Sequence, residues 1–355
     1  MNALHRLVIA SIAGAALAAT AAAQEPDRPG AFQEEVVVER VVIDAHVIGI
    51  DGNPIPDLTP DDFRVKVDGR SVILEAVEWL PGNKPENDAS ALVGIESAEA
   101  ERFRQDAPPG RLIVFFFQHD GSQTTRLHGL MRNAQQARLF LDTLLPTDRI
   151  AVASHDSQLK LRQDFTADRA KVERAIKASI GTSAASEPDP DSQPSIGRYL
   201  DRAAAKKSGT TDRAIEVLAR ALEPLPGGKS MVFFGWGLGS TQGGLSGPVA
   251  SETRDYSEMI YSLGRARVNL FTLDVADADY HSLEDYLKQV SQVTGGRYQK
   301  THLFPALAME LVRRTISGRY ILVIVKPRGT RGDHMIEVEL VGKKGYVHAR
   351  QYYQD

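Results

Sequence analysis

Five consecutive apolar residues, Ile113-Val114-Phe115-Phe116-Phe117, constrain this chain more than any other feature. A strand with one wet face alternates apolar and polar side chains. An unbroken run therefore reads as a strand buried on both faces, at the centre of a parallel sheet. Gln118 and His119 follow, then Asp120-Gly121-Ser122-Gln123-Thr124. Asp120, Ser122 and Thr124 offer one carboxylate and two hydroxyls at alternating positions, where the C-terminal end of a central strand presents them. Hard divalent cations take such oxygens.

The rest of the chain is organised around that strand. Leu130, Ala134, Ala137, Leu141 and Leu144 mark a helical face behind it, and Arg149–Ser154 reads as a second strand. Thr166 is placed to cap a helix carrying Val172, Ile176 and Ile180. Further helical faces recur at Ile215/Leu218/Leu222, Met259/Leu263, Leu283/Leu287/Val290 and Leu307/Leu311, between strands at Met231–Phe234 and Val268–Leu273. This alternation predicts an α/β fold: a doubly wound, mostly parallel sheet with helices on both faces. Both ends of the chain differ from it. Val36–Ile50 and Phe63–Leu80, with a tight turn at Asp68-Gly69, read as strands, as do Tyr320–Val325, Met335–Leu340 and Tyr346–Tyr352. The expected plan is a leader over 1–23, a tether over 24–35, an N-terminal β segment over 36–80 and a linker over 81–110. An α/β domain over 111–317 and a C-terminal β segment over 318–355 complete it. The two β segments are inferred to pair into one small β unit.

The leader carries Arg6, an Ala-rich apolar run and Ala21-Ala22-Ala23 before Gln24, the pattern of a signal peptide. It is short of the ~20 residues that a span needs, and no later run is long enough. The expectation is an exported protein, periplasmic or extracellular, with no membrane span after the leader is removed. There is no cysteine, so no disulfide staples the fold, and at 355 residues a core suffices without one. The formal charge is -4, and no basic cluster exceeds a Lys-Lys pair, which argues against a nucleic-acid partner.

Four segments in order, Arg111–Asp120, Leu144-Leu145-Pro146-Thr147-Asp148-Arg149-Ile150-Ala151-Val152, Gly228-Lys229-Ser230-Met231-Val232-Phe233-Phe234 and Val293-Thr294-Gly295-Gly296-Arg297-Tyr298, resemble a von Willebrand factor type A domain. With the flanking run Asp51–Phe63 and the terminal strands, most of the chain is similar to exported bacterial von Willebrand factor A-related proteins of the acidobacterial type. The resemblance implies a binding module for a protein or another macromolecule at the cell envelope, with no catalytic activity. It also implies a Mg²⁺ adhesion site built from Asp-x-Ser-x-Ser, a threonine and an aspartate on three loops. Asp120, Ser122 and Thr124 match the first by residue type, and Thr210 or Thr211 the second. The chain departs from the pattern twice. Gln118 stands directly after the apolar run, where the aspartate belongs, and the third loop reads Gly235-Trp236-Gly237 with no acid.

The expectation is therefore a degenerate metal site, no tightly held cofactor, and a partner-binding rim of Gln118, His119, Trp236, Leu238 and Ser240. The alternatives are an adhesion module with working Mg²⁺, an exported hydrolase using His119 or His155 with a carboxylate, and a structural envelope component. His119 and His155 with Asp120 and Asp156 are also weighed as Zn²⁺ ligands against plain loop residues. Asp274, Asp277 and Asp279 read as a solvated turn, and Arg331-Gly332-Asp333 as a turn between terminal strands.

Overall fold

The computed structural model describes residues 39–83, 110–119, 123–181, 193–244, 247–278, 280–327 and 331–354, the side chains of 242–249 excepted. The leader, the tether, most of the linker and the pair Asp120 and Ser122 lie outside the described residues. Among the described residues no helix is long and apolar enough to cross a membrane.

The apolar run forms β5 (Leu112–Gln118), buried at all seven positions. It lies inside a six-stranded sheet with β6 (Arg149–His155), β7 (Leu159–Thr166), β8 (Lys229–Gly235), β11 (Val268–Asp274) and β12 (Tyr298–Lys300), in the order β12-β11-β8-β5-β6-β7. Five strands run parallel, and β7 alone is antiparallel to its neighbour. Alternate residues of β5 feed two separate cores. Ile113, Phe115 and Phe117 pack beneath α1 (Thr124–Leu141), α2 (Arg169–Ile180) and α7 (Pro305–Thr315). Leu112, Val114 and Phe116 share the other core with α3 (Arg202–Lys206), α4 (Thr211–Leu222), α5 (Arg254–Arg265) and α6 (Glu284–Val293). Phe117 stacks on Phe234 at 4.6 Å between ring centroids. The chain leaves β5 for β6 on one side and returns to β8 on the other, so the strand order reverses at β5. Ligand crevices of doubly wound sheets open at that point, at the C-terminal strand ends.

Residues 40–81 and 318–354 form a β sandwich. One sheet has the order β15-β1-β13-β4, from β15 (Gly345–Ala349), β1 (Arg40–Gly49), β13 (Gly318–Val325) and β4 (Leu74–Pro81). The other has the order β16-β14-β2-β3, from β16 (Tyr352–Gln354), β14 (Asp333–Leu340), β2 (Phe63–Val67) and β3 (Arg70–Ser71). Val41, Ile43, Ala45, Phe63, Val65, Tyr320, Leu322 and Ile336 fill the space between. The inferred pairing of N- and C-terminal segments is present, with β1 lying between β13 and β15. The expected hairpin is corrected. Asp68 and Gly69 do turn with positive φ, 51° and 74°. The strand returning to β2 is only β3, however, and β4 crosses to pair with β13. Two further elements lie outside the expected plan: β7, and the hairpin of β9 (Ser240–Gly244) and β10 (Gly247–Ser251). Thr166 ends β7, and Asp168 caps α2 by accepting from Ala170 N and Lys171 N.

The outer face of the β1 sheet meets the α/β domain through a buried charge cluster. Arg267, at φ 51° after α5, donates from Nε and Nη2 to the two oxygens of Asp44 at 2.9 and 2.8 Å. Arg319 Nε adds a third bond at 2.8 Å. Gly228 lets the chain pass close: a Cβ there would meet both Asp44 oxygens at 3.2 Å. Burial alone would raise the Asp44 carboxyl, but the two guanidiniums outweigh it and hold it well below the usual carboxylate range. A charge cluster stranded by loss of one member costs about 3–5 kcal/mol. Asp44→Ala is expected to lose stability on that scale in urea denaturation, and Asp44→Asn to lose most of it, because Arg267 stays buried without a counter-charge. A loss below about 1 kcal/mol for Asp44→Ala would mean that this cluster does not secure the β unit.

Candidate functional site

Gln118 is the last residue of β5 and only 6% exposed. Its amide reaches two loops. Nε2 donates to Thr211 Oγ1 at 2.9 Å and to Gly237 O at 3.0 Å, while Oε1 accepts from Trp236 N at 2.9 Å and Gly237 N at 3.3 Å. The strand end and the loops at 211 and 236 therefore meet at one point, above the sheet at its switch point. Gly235 makes room, since a Cβ there would lie 2.5 Å from Gln118 Oε1.

The hydrogen bonds continue to the neighbouring strand. Thr211 Oγ1 lies 3.2 Å from His155 Nδ1. Burial lowers His155 to about pKa 4, so the ring is neutral at pH 7. The Thr211 hydroxyl thus links the Gln118 amide to the His155 ring. The other ring nitrogen, Nε2, is buried without a hydrogen-bond partner among the described residues. Among the described residues neither ring nitrogen meets a carboxylate, as a catalytic triad requires. His119 is linked to His155 through the backbone, its N–H donating to His155 O at 2.8 Å.

Of the candidate metal ligands, Thr124, Thr210 and Thr211 are among the described residues. Thr124 is exposed in the first turn of α1. Thr210 caps α4 by accepting from Arg213 N, and its hydroxyl donates to Asp255 Oδ2 at 3.0 Å, so of the two threonines only Thr211 faces the crossing point. Asp120 and Ser122 lie outside the described residues. Among the described residues no carboxylate reaches the Gln118 amide, and two N–H donors occupy the crossing point. That donor set does not fit Mg²⁺, which requires oxygen ligands and favours anionic ones.

The rim is corrected in two places. Gln118 is inside the molecule, and Leu238 is 1% exposed in the core beneath α4 and α5. Both are drawn inward because the third loop closes over the strand ends. Trp236, His119 and Ser240 remain partly exposed, and Arg126 lies 4.7 Å over the Trp236 ring, a cation–π contact.

One buried carboxylate in this region, Asp212, was not singled out in the sequence, and another, Asp274, was read differently. Asp212, 3% exposed, accepts from Gly239 N with both oxygens at 3.0 Å and so ties the third loop to α4. Burial pushes it up to about pKa 6 against the pull of that N–H, and the Asp255 charge adds to the rise. Asp274, expected in a solvated turn, is fully buried at the end of β11. It accepts from Ala276 N, His281 Nε2 and Tyr298 OH, each at 2.9 Å. Asp274, His281 and Glu284 lie close enough to share a metal ion, but both Glu284 oxygens already hold lysines, Lys288 at 2.8 Å and Lys300 at 2.9 Å. The group is a self-compensated charge network. Asp279 lies outside the described residues.

Asp212 gives a pH prediction. A carboxyl raised in the folded state contributes stability that is complete below its unfolded pKa and is lost as pH rises through the folded value. The window runs from the ordinary 3.8 to about 6. Asp212→Asn, which mimics the protonated group, is expected to be more stable than wild type by about 3 kcal/mol at pH 7.5, and by about half that at pH 5. Urea titrations at the two pH values measure this. A wild type more stable than the variant at pH 7.5 would contradict it.

No family model and no curated protein matches the chain. Solved structures that resemble it include a von Willebrand factor type A protein from Catenulispora acidiphila, at 11% identity and TM-score 0.39, over 84% of this chain and 76% of that one. A serine-substituted aerotolerance-related membrane protein from Bacteroides fragilis aligns at 12% identity and TM-score 0.38, over 58% of this chain and 98% of that one. The three N-terminal domains of the type V pili tip protein Mfa5 from Porphyromonas gingivalis align at 10% identity and TM-score 0.40, over 90% of this chain and 66% of that one. Overlaps this partial speak to no function, and the doubly wound assignment rests on the strand order itself.

Proposed function

We propose that the protein is an exported, non-enzymatic binding module of the von Willebrand A type, which recognises a protein or another macromolecule at the cell envelope. One observation carries this reading. The Gln118 amide joins the strand end to the loops at 211 and 236 with four hydrogen bonds, at the point where the resemblance implies a metal-binding carboxylate. A neutral side chain then organises the loop edge without Mg²⁺. The contact surface is the partly exposed set His119, Trp236 and Ser240, on loops held by a rigid sheet. The leader over 1–23 supports export.

Removing the amide strands Thr211, Trp236 N and Gly237 inside the molecule. Gln118→Ala is expected to cost about 2–4 kcal/mol in chemical denaturation, from the lost packing and the unpaired groups. Calorimetry with Mg²⁺ or Mn²⁺ is expected to show no binding heat. Stoichiometric binding that Asp120→Ala abolishes would favour the metal-dependent module instead. In capture from an envelope fraction, wild type should retain its partner in EDTA and Trp236→Ala should not. Equal recovery by both proteins would remove the loop edge as the contact surface.

A further inference from the structure

Beside the third loop, the base of the β9–β10 hairpin and the start of α6 enclose an open groove of about 570 Å³. Its lining includes Glu252, Tyr280, Ser282, Asp285, Tyr286 and Gln289, and among the described residues no lysine or arginine. Volumes of this size hold small ligands or single side chains with their flanking backbone. The wall at Tyr286 is rigid. Tyr256 OH donates to Tyr286 O at 2.9 Å, the two rings meet edge to face at 4.9 Å, and a Cβ on Gly239 would touch the Tyr286 ring at 3.4 Å. Tyr280 stands on the other side, 64% exposed, with its hydroxyl 3.5 Å from Asp285 Oδ2.

The charges at this corner are unevenly compensated. Glu258 is paired with Arg254 and Arg213, and Glu284 with Lys288 and Lys300. The two carboxylates that face the groove are not matched in this way. Glu252 accepts from Ser257 Oγ at 2.6 Å, and among the described residues no cation pairs with it. Among the described residues the one cation near Asp285 is Lys288, at 3.7 Å, and that ammonium is 2.8 Å from Glu284. Acidic walls in a concave site concentrate cations. Tyrosine faces attract a guanidinium, and carboxylates take its planar fork by charge-assisted bonds.

We propose that this groove takes an arginine side chain presented by an extended basic segment of a partner polypeptide. The proposal rests on the binding-module reading and adds the chemistry of the partner. The observations favour arginine over a neutral sugar because the uncompensated groups are anionic.

The test is calorimetric titration of the full chain with acetylated, amidated tri-arginine, at low and at physiological salt, with tri-glycine and maltotriose as controls. Tri-arginine should bind, more weakly as salt rises, and the controls should not. Glu252→Gln with Asp285→Asn should weaken binding at least about tenfold, the worth of one charge-assisted contact. Tyr280→Ala should weaken it about two- to fivefold, as for an exposed cation–π contact. All three side chains are at the surface, and thermal melts of each variant verify folding. Absence of tri-arginine binding, equal binding by the double variant, or equal binding of maltotriose overturns the proposal. Trp236→Ala separates the two readings. If it abolishes partner capture yet tri-arginine fails to bind wild type, only the groove is wrong. If tri-arginine binds as expected while Trp236→Ala captures normally, the groove stands and the loop edge does not.

Discussion

Four hydrogen bonds made by one amide hold the loop edge of this molecule together. Gln118 is the first polar side chain after six buried apolar ones, and β5 delivers it to the place where the strand order reverses. A glutamine has two donors and two acceptor sites, so it can bind a hydroxyl, a carbonyl and two backbone N–H groups at once. An aspartate in the same position would have no proton for the Thr211 hydroxyl or the Gly237 carbonyl and would need a cation between them. One substitution of residue type therefore changes the chemistry of the whole loop edge.

The edge is rigid because its foundation is. β5 is clamped between β6 and β8, and its alternate side chains enter two cores. The β sandwich adds a second constraint from the opposite direction. Asp44 on β1 draws Arg267 and Arg319 into a buried cluster, so the two β segments are tied to the α/β domain as well as to each other. Buried charge of this kind stabilises little in net terms but penalises every arrangement that separates its members.

Electrostatic compensation distinguishes the acidic groups around the edge. Asp274 and Glu284 are fully supplied with donors, and they behave as internal scaffolding. Asp212 is buried against one N–H and is raised as a result. Glu252 and Asp285 face open space with little counter-charge, which is the condition under which a carboxylate is available to a partner.

The sequence by itself determined the architecture. Unbroken apolar runs and helical faces in alternation leave few folds besides a doubly wound sheet, because each run must be covered on both sides. It also determined that the three loops near 118, 211 and 236 share one end of the sheet, since each follows or precedes an element of that sheet. Tertiary structure alone decided what those loops contain. Whether Thr210 or Thr211 faces inward depends on which one caps α4, and Leu238 and Asp274 are buried by elements far away in the chain. The strand β4 could have returned to β2 by local turn chemistry, yet it pairs with β13. The charge state of Asp212 and the groove beside Tyr286 arise from side chains that meet only when α4, α5, α6 and the hairpin are packed. Local pattern sets which residues point inward, but neighbours from distant segments set what each one meets there.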